Sequence, residues 1–279
     1  MLSAQKLDSM QRISPHRNSR LFSEFLPEGY RLTTIDSVTD KDEVIRLKIL
    51  LGTLITLFDD FADVPERFNP RLLEWLYQIP FKPVKVHPSF LSYEERESIQ
   101  LCEDLCRELF EGMEELLNYR TLIKIFEFDL KQFFLANQYC ELVTSLPDLS
   151  NRSENRLYLH HNMGIVMAGM IDLMSLEEFH TSDLGKARSL FLLGQRAGRI
   201  SNVLTTLDRE KNDGDLTNEI LSDRLMMSQQ LPIEHLELEI SQTLEAMKTF
   251  INIQSFSATK YREGIKNLHH LHLKLKGVI

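Results

Sequence analysis

Positive charge is in short supply: 32 Lys and Arg stand against 41 Asp and Glu, a formal net charge of −9. The missing basic surplus argues against a protein that lives on nucleic acid, because phosphate binding over a broad face needs clustered cations. An anionic ligand would instead need local cations or a metal. Cysteine is almost absent. Cys102, Cys106 and Cys140 are an odd set without the paired spacings of a zinc ribbon or a disulfide framework, which points to a reducing compartment, the cytosol. The opening stretch MLSAQKLDSMQRISPHRNSR lacks the continuous apolar core of a secretory signal, so none is expected. Long apolar runs are missing too. The most apolar one, Ile45 to Phe58, is interrupted by Arg46 and Lys48 and is too short to cross a bilayer, so no transmembrane segment is expected.

Glycine and proline are sparse, 11 and 9, and no stretch alternates apolar and polar residues between turn signals long enough to support a sheet. With 43% hydrophobic residues the chain has enough apolar surface for a core. The spacing predicts an all-α protein with helices over about 42–61, 66–78, 93–117, 119–146, 154–177, 184–212, 217–227, 232–255 and 257–276. Residues 1–40 read as an N-terminal segment with short helical pieces, and 41–279 as one helical domain. The stretch Phe81 to Phe90 carries two prolines and reads as a loop inside that domain.

The first helix of the domain ends in FDDFAD. Asp59, Asp60 and Asp63 would sit in its last turns, where three anions oppose the helix dipole and repel one another. A bound cation would reverse that penalty. Asp59 and Asp63 share a face, with Asp60 beside it, and offer the adjacent hard oxygens that magnesium prefers. Unpaired acids also lead to the expectation that Asp60→Asn leaves the metal-free protein equally stable, or more so by ~0.3–1 kcal/mol.

A second cluster lies in GRISNVLTTLDRE, residues 198–210. Asn202, Thr206 and Glu210 recur every fourth residue and so project from one helical face. They present an amide oxygen, a hydroxyl and a carboxylate, ligands for one more hard cation.

Together these motifs resemble the class I terpene synthases. Asp59-Asp60-Phe61-Ala62-Asp63 is similar to that family's aspartate-rich motif, and Asn202, Thr206 and Glu210 to its second motif, N-x-x-x-S/T-x-x-x-E. The surrounding GRISNVLTTLDREKNDGDLTNEI looks like the matching helix of plant-type and bacterial diterpene synthases, and the likeness covers roughly residues 40–275. It implies a single-domain helical bundle of the isoprenoid synthase type with a central cavity. It further implies a magnesium-dependent lyase that ionises an isoprenyl diphosphate and steers the carbocation. Asp59, Asp63, Asn202, Thr206 and Glu210 would hold metal, three ions in all, bound with the diphosphate. Arg199 and Arg209 would meet the diphosphate, and Asp59, Asp60 and Arg209 would carry catalysis. Two features depart from the family pattern. Val203 stands where an Asp often follows the Asn, and the stretch Tyr158 to Met167 lacks the arginines of the family's diphosphate-sensing segment. Tyr261-Arg262 is reversed and too early to match the family's C-terminal Arg-Tyr pair.

Candidates for the cavity wall are Phe58 and Phe61 beside the acids, Tyr158, and Asn162, Gly164 and Met167 near the helix break that shapes the product in this family. Arg156 reads as a surface residue, and the adjacent His160 and His161 cannot share a face well enough to form a zinc pair. A geranylgeranyl or copalyl-type diphosphate is the favoured substrate. Alternatives are a sesquiterpene synthase using farnesyl diphosphate, a prenyl-chain elongating transferase and, from another class, a non-catalytic helical interaction protein. A homodimer is compatible with the sequence.

Overall fold

Six helix starts are written into the sequence as side-chain caps. Ser3, Asp40, Asn69, Ser92, Asn151 and Ser257 each accept a hydrogen bond from the backbone N–H three residues on, and Ser92 with Glu95 forms a reciprocal capping box. The protein is described by a computed structural model covering residues 2–64, 66–82, 91–213, 217–221 and 233–276. Its helices are α1 (Ala4–Ile13), α2 (Leu26–Thr33), α3 (Lys41–Ala62), α4 (Pro70–Leu76), α5 (Tyr93–Glu114), α6 (Tyr119–Ser145), α7 (Arg152–Tyr158), α8 (Ile165–Ser175), α9 (Leu184–Asp213), α10 (Ile233–Ala246) and α11 (Ala258–Lys274). Among the described residues the only strand-like pairing is one isolated bridge, Val38 with Leu176. The protein is all-α, and no described helix is long and apolar enough to cross a membrane.

Helix α3 is the centre of the packing. From Val44 to Ala62 nearly every side chain is buried, because α2, α4, α5, α6 and α8 all pack on it. This explains why its apolar pattern runs all round the helix rather than along one stripe. Helix α9 forms a second axis, packed by α8, α10 and α11.

Several boundaries differ from expectation for local reasons. The helix expected over 154–177 is split: α7 passes into a 3-10 turn, Leu159–Met163, and α8 restarts at Gly164. Gly164 has φ +63°, a left-handed conformation, and a Cβ there would stand 2.1 Å from Ile55 Cδ1. The helix expected over 66–78 begins only at Pro70, whose missing N–H suits the first helical position. The helix expected to reach 255 stops at Ala246. Asp183 holds the following chain instead, accepting hydrogen bonds from the Gln254 and Ser255 amides and the Ser255 hydroxyl at 2.7–2.9 Å. Most of the helix expected over 217–227 lies outside the described residues.

The N-terminal forty residues are part of the same core. Met10, Ile13, Leu21, Phe22 and Ile35 are buried in the cluster that contains the middle of α3. Helix α2 reaches that position by close approach to α11: a Cβ at Gly264 would stand 2.2 Å from the Leu32 carbonyl oxygen, and backbone cannot swing aside as a side chain can. Gly264→Ala is therefore expected to push α2 off α11 and destabilise the protein by about 1–3 kcal/mol. A lowered thermal midpoint checks it; an unchanged midpoint refutes the close contact.

Candidate active site

Four stretches of chain each contribute a set of residues to one pocket. From α3 come Lys48, Gly52, Ile55, Thr56, Asp59 and Asp63. The N-terminal segment contributes Arg17, Leu21, Phe25, Gly29 and Thr33, each four residues from the last. Helix α9 adds Arg199, Asn202, Arg209 and Glu210, and α11 adds Tyr261, Leu268 and His272. Asn162, Ile165 and Ala168, around the Gly164 break, close another side. The empty space within this lining is about 1210 Å³, open mouth included. Lys48 and Asp59 are separated by about 16 Å along the helix axis at 1.5 Å per residue, which gives the pocket its depth.

The mouth is charged. Asp59, Asp63 and Glu210 stand there with Arg17, Arg199 and Arg209. Arg209 lies 3.3 Å from Glu210, whose other oxygen accepts from Asn218. Arg199 donates to the Thr217 carbonyl at 2.8 Å and reaches the Asn202 amide oxygen at 3.5 Å. Below the mouth the walls turn apolar with Leu21, Phe25, Leu26, Ile55 and Ala168. Gly52 lets Tyr30, and Gly169 lets Phe191, pack closely, since a Cβ at either glycine would stand 2.5 Å from that side chain. The floor is polar again. Lys48 is 1% exposed and paired at 2.5 Å with the fully buried Asp172, and it donates to Thr34 at 3.0 Å. Burial pushes both partners toward their neutral forms, raising Asp172 to about 6 and lowering Lys48, while their mutual attraction opposes it.

The pocket thus gathers most of the predicted site. Asp59, Asp63, Asn202, Glu210, Arg199, Arg209 and Asn162 all line it. Thr206 lies on the right face of α9 but is fully buried, and its hydroxyl donates to the Asn202 carbonyl at 2.7 Å. The aromatic candidates point elsewhere. Phe58 stacks with Tyr77 and meets Phe133 and Phe134, Phe61 lies under Arg67, and Tyr158 packs on Tyr139. Met167 borders a different, smaller pocket, and Gly164 acts by letting the chain turn beside Ile55. The Phe and Tyr rings that do line the pocket are Phe25, Tyr30 and Tyr261. Arg156 is tied to Glu239 and Glu219, as a surface-side residue would be.

Asp60 requires a correction. It was expected to stand unpaired with its neighbours, yet it turns away from the pocket and is fully buried against the N-terminal segment. Arg17 donates to it at 2.7 Å through Nε and approaches equally closely through Nη2, Ser14 donates from the other side, and His16 lies 3.4 Å away. Burial works against ionisation here, but Arg17, His16 and Ser14 outweigh it and hold the Asp60 pKa at about 2. The sequence signal for these partners was present in the spacing of Arg17, Leu21, Phe25, Gly29 and Thr33, but nothing local links it to α3. Lys48 had a signal as well, a lone cation inside the most apolar run.

Hard oxygen donors on two facing walls fit magnesium, which keeps water and phosphate oxygens in its shell. Asp59, Asp63, Asn202 and Glu210 are the residues on the lining that would hold it. Among the described residues no three His, Cys, Asp or Glu side chains form a cluster by themselves, so the shell would be completed by Asn202, water and a ligand's own oxygens. No model of a known protein family matches the chain, and no curated protein shows significant similarity to it.

The paired, buried Asp60 reverses the stability expectation. Asp60→Asn takes from Arg17 the carboxylate that bonds it directly and should cost about 3 kcal/mol, the lower end for breaking a buried pair. In the wild type the same interaction is present above the unfolded carboxyl pKa near ~4 and is lost as pH falls toward the folded value, so acid stability should drop between about pH 4 and 2. Thermal midpoints of wild type and variant across that range check both statements. A variant as stable as wild type at neutral pH would refute them.

Proposed function

We propose that the protein is a divalent-cation-dependent class I terpene synthase, with a diterpenoid substrate favoured. The observation that carries this reading is the layout of one pocket: hard oxygen donors from two separated motifs and three arginines at its mouth, with an apolar interior behind them. Such a gradient suits a molecule with an anionic head and a long apolar tail. The absence of a second aspartate-rich motif, with Asn202 and Glu210 in its place, favours cyclisation over chain elongation.

When bound, magnesium would neutralise the diphosphate and so stabilise the negative charge that builds up on it as it departs. The chain's own residues do the rest. Arg17, Arg199 and Arg209 offer guanidinium groups to the same charge, and their effect is greatest in the transition state, where that charge is largest. Leu21, Leu26, Ile55 and Ala168 bind the hydrocarbon and keep water from the allylic cation. Phe25, Tyr30 and Tyr261 present the aromatic surface available to a cation inside.

Incubation with geranyl, farnesyl, geranylgeranyl and copalyl diphosphates, with diphosphate release and mass spectrometry of the products, tests the reading. At least one substrate should release diphosphate and give a cyclic or rearranged product, and chelation should abolish it. Release undiminished by chelation, or no release from any of the four, refutes the proposal. Arg209→Ala should lower turnover by about 100-fold, as loss of one charge-stabilising donor does, with the thermal midpoint unchanged. A normal rate with reduced stability would make Arg209 structural.

A further inference from the structure

A carbocation cascade ends when a proton is lost or water adds, and the pocket holds one group suited to take that proton. His272 lines the pocket at mid-depth, 1% exposed, with its ring edge-on to Phe25 at 4.9 Å between centroids. Its Nδ1 lies 2.9 Å from the Leu268 carbonyl oxygen. A carbonyl can only accept, so Nδ1 carries the hydrogen, and in the neutral ring Nε2 is left with a bare lone pair. Burial, with a smaller contribution from His269, lowers the His272 pKa to about 4 despite that hydrogen bond, so the ring is neutral at neutral pH.

The other pocket-lining groups are poorer acceptors. Lys48 is engaged with Asp172 at 2.5 Å, and whether the shared proton sits on nitrogen or oxygen, no lone pair on its nitrogen is left open to the pocket. Thr33 and Thr56 donate to backbone carbonyls one turn back, and a hydroxyl oxygen is a weak base. Tyr261 has a hydroxyl with no partner among the described residues, but burial raises its pKa far above the ordinary value, so it remains a neutral phenol. Asp59, Asp63 and Glu210 are carboxylates, but they stand at the mouth with the arginines and the leaving group.

We infer that Nε2 of His272 is the catalytic base that ends the cascade by removing a proton from the carbon next to the cationic centre; this rests on the terpene synthase reading. The C–H bonding pair becomes the new π bond, the proton passes to the Nε2 lone pair, and the positive charge moves from carbon to imidazolium. Because burial disfavours the imidazolium, it returns its proton to water when the product leaves. The base is a neutral nitrogen rather than an anion, so it does not hold the cation by charge attraction as a buried carboxylate would.

Two variants test this. His272→Phe keeps a ring against Phe25, and His272→Asn keeps an amide donor where Nδ1–H stands, so that the Leu268 carbonyl retains a partner. Each is assayed for folding, diphosphate release and product distribution beside the wild type, with the substrate the wild type turns over. Diphosphate release should persist, because ionisation does not use the base. The wild-type main product should fall by about 100-fold per diphosphate released, replaced by isomeric alkenes and alcohols. Nitrogen NMR of the wild-type ring should show hydrogen on Nδ1 and none on Nε2 at neutral pH. A wild-type product pattern from either folded variant, or a proton on Nε2, overturns the assignment and leaves the terpene synthase reading standing. Failure of the wild type to release diphosphate from any isoprenyl substrate overturns that reading, and the assignment with it.

Discussion

The contact between Asp60 and Arg17 fixes how the two walls of the pocket meet. A fully buried carboxylate in an apolar bundle must find a cation and hydrogen-bond donors or lose its charge, and Asp60 finds them in the segment 14–17. The other end of the same wall is held in the same way. Lys48 on α3 pairs with Asp172 on α8 and donates to Thr34, while the Ile35 amide donates to Asp172 at 3.3 Å. Between these two anchors the N-terminal stripe from Arg17 to Thr33 runs beside the α3 stripe from Asp63 to Lys48. Buried pairs add little net stability over apolar packing, but a slip by one turn would leave two charges unpaired in the interior, and that penalty sets the register.

This arrangement divides the DDxxD motif by function. Asp59 and Asp63 share a face and line the pocket; Asp60, rotated by one residue or about 100°, faces the N-terminal segment and holds the wall. Arg17 belongs to both sides. It is clamped by Asp60, yet it lines the pocket and feels the charges of Asp63 and Asp59, which together with Asp60 outweigh its burial and hold it protonated. The three acids at the end of α3 are therefore not an unrelieved cluster even without metal.

What could be read from the sequence was whatever depends on neighbours along one helix. The all-α class, the course of α3, α5, α6 and α9, and the two motif faces follow from periodicity, because residues three or four apart meet whatever the fold does. Asp59, Asp63, Asn202 and Glu210 were singled out in this way, and all four line one pocket. The misses are contacts between distant segments. Arg17 is 43 residues from Asp60, and neither local sequence carries a mark of the other. The aromatic candidates failed for a related reason: proximity in sequence to the acids does not decide which way a ring turns, and Phe58 turns into the cluster with Tyr77 while Phe25, far away in sequence, turns into the pocket. Helix ends set by other segments, such as that of α10 with Asp183 holding the next stretch, are hidden for the same reason.

The distribution of charge along the pocket constrains any cation formed inside it. An ammonium at the floor would repel a carbocation, but Lys48 is not alone: whether the proton it shares with Asp172 sits on nitrogen or oxygen, the pair carries no net charge. Burial pushes both groups toward neutrality, so the floor presents a dipole at most. At the mouth, Asp59, Asp63 and Glu210 are matched by Arg17, Arg199 and Arg209, so neither end of the pocket carries a net charge from these side chains. His272, held beside Phe25, lies between the two ends. In the proposed reaction a neutral acceptor at that depth takes its proton away from the charged groups of the mouth, which separates the step that starts the cascade from the step that ends it.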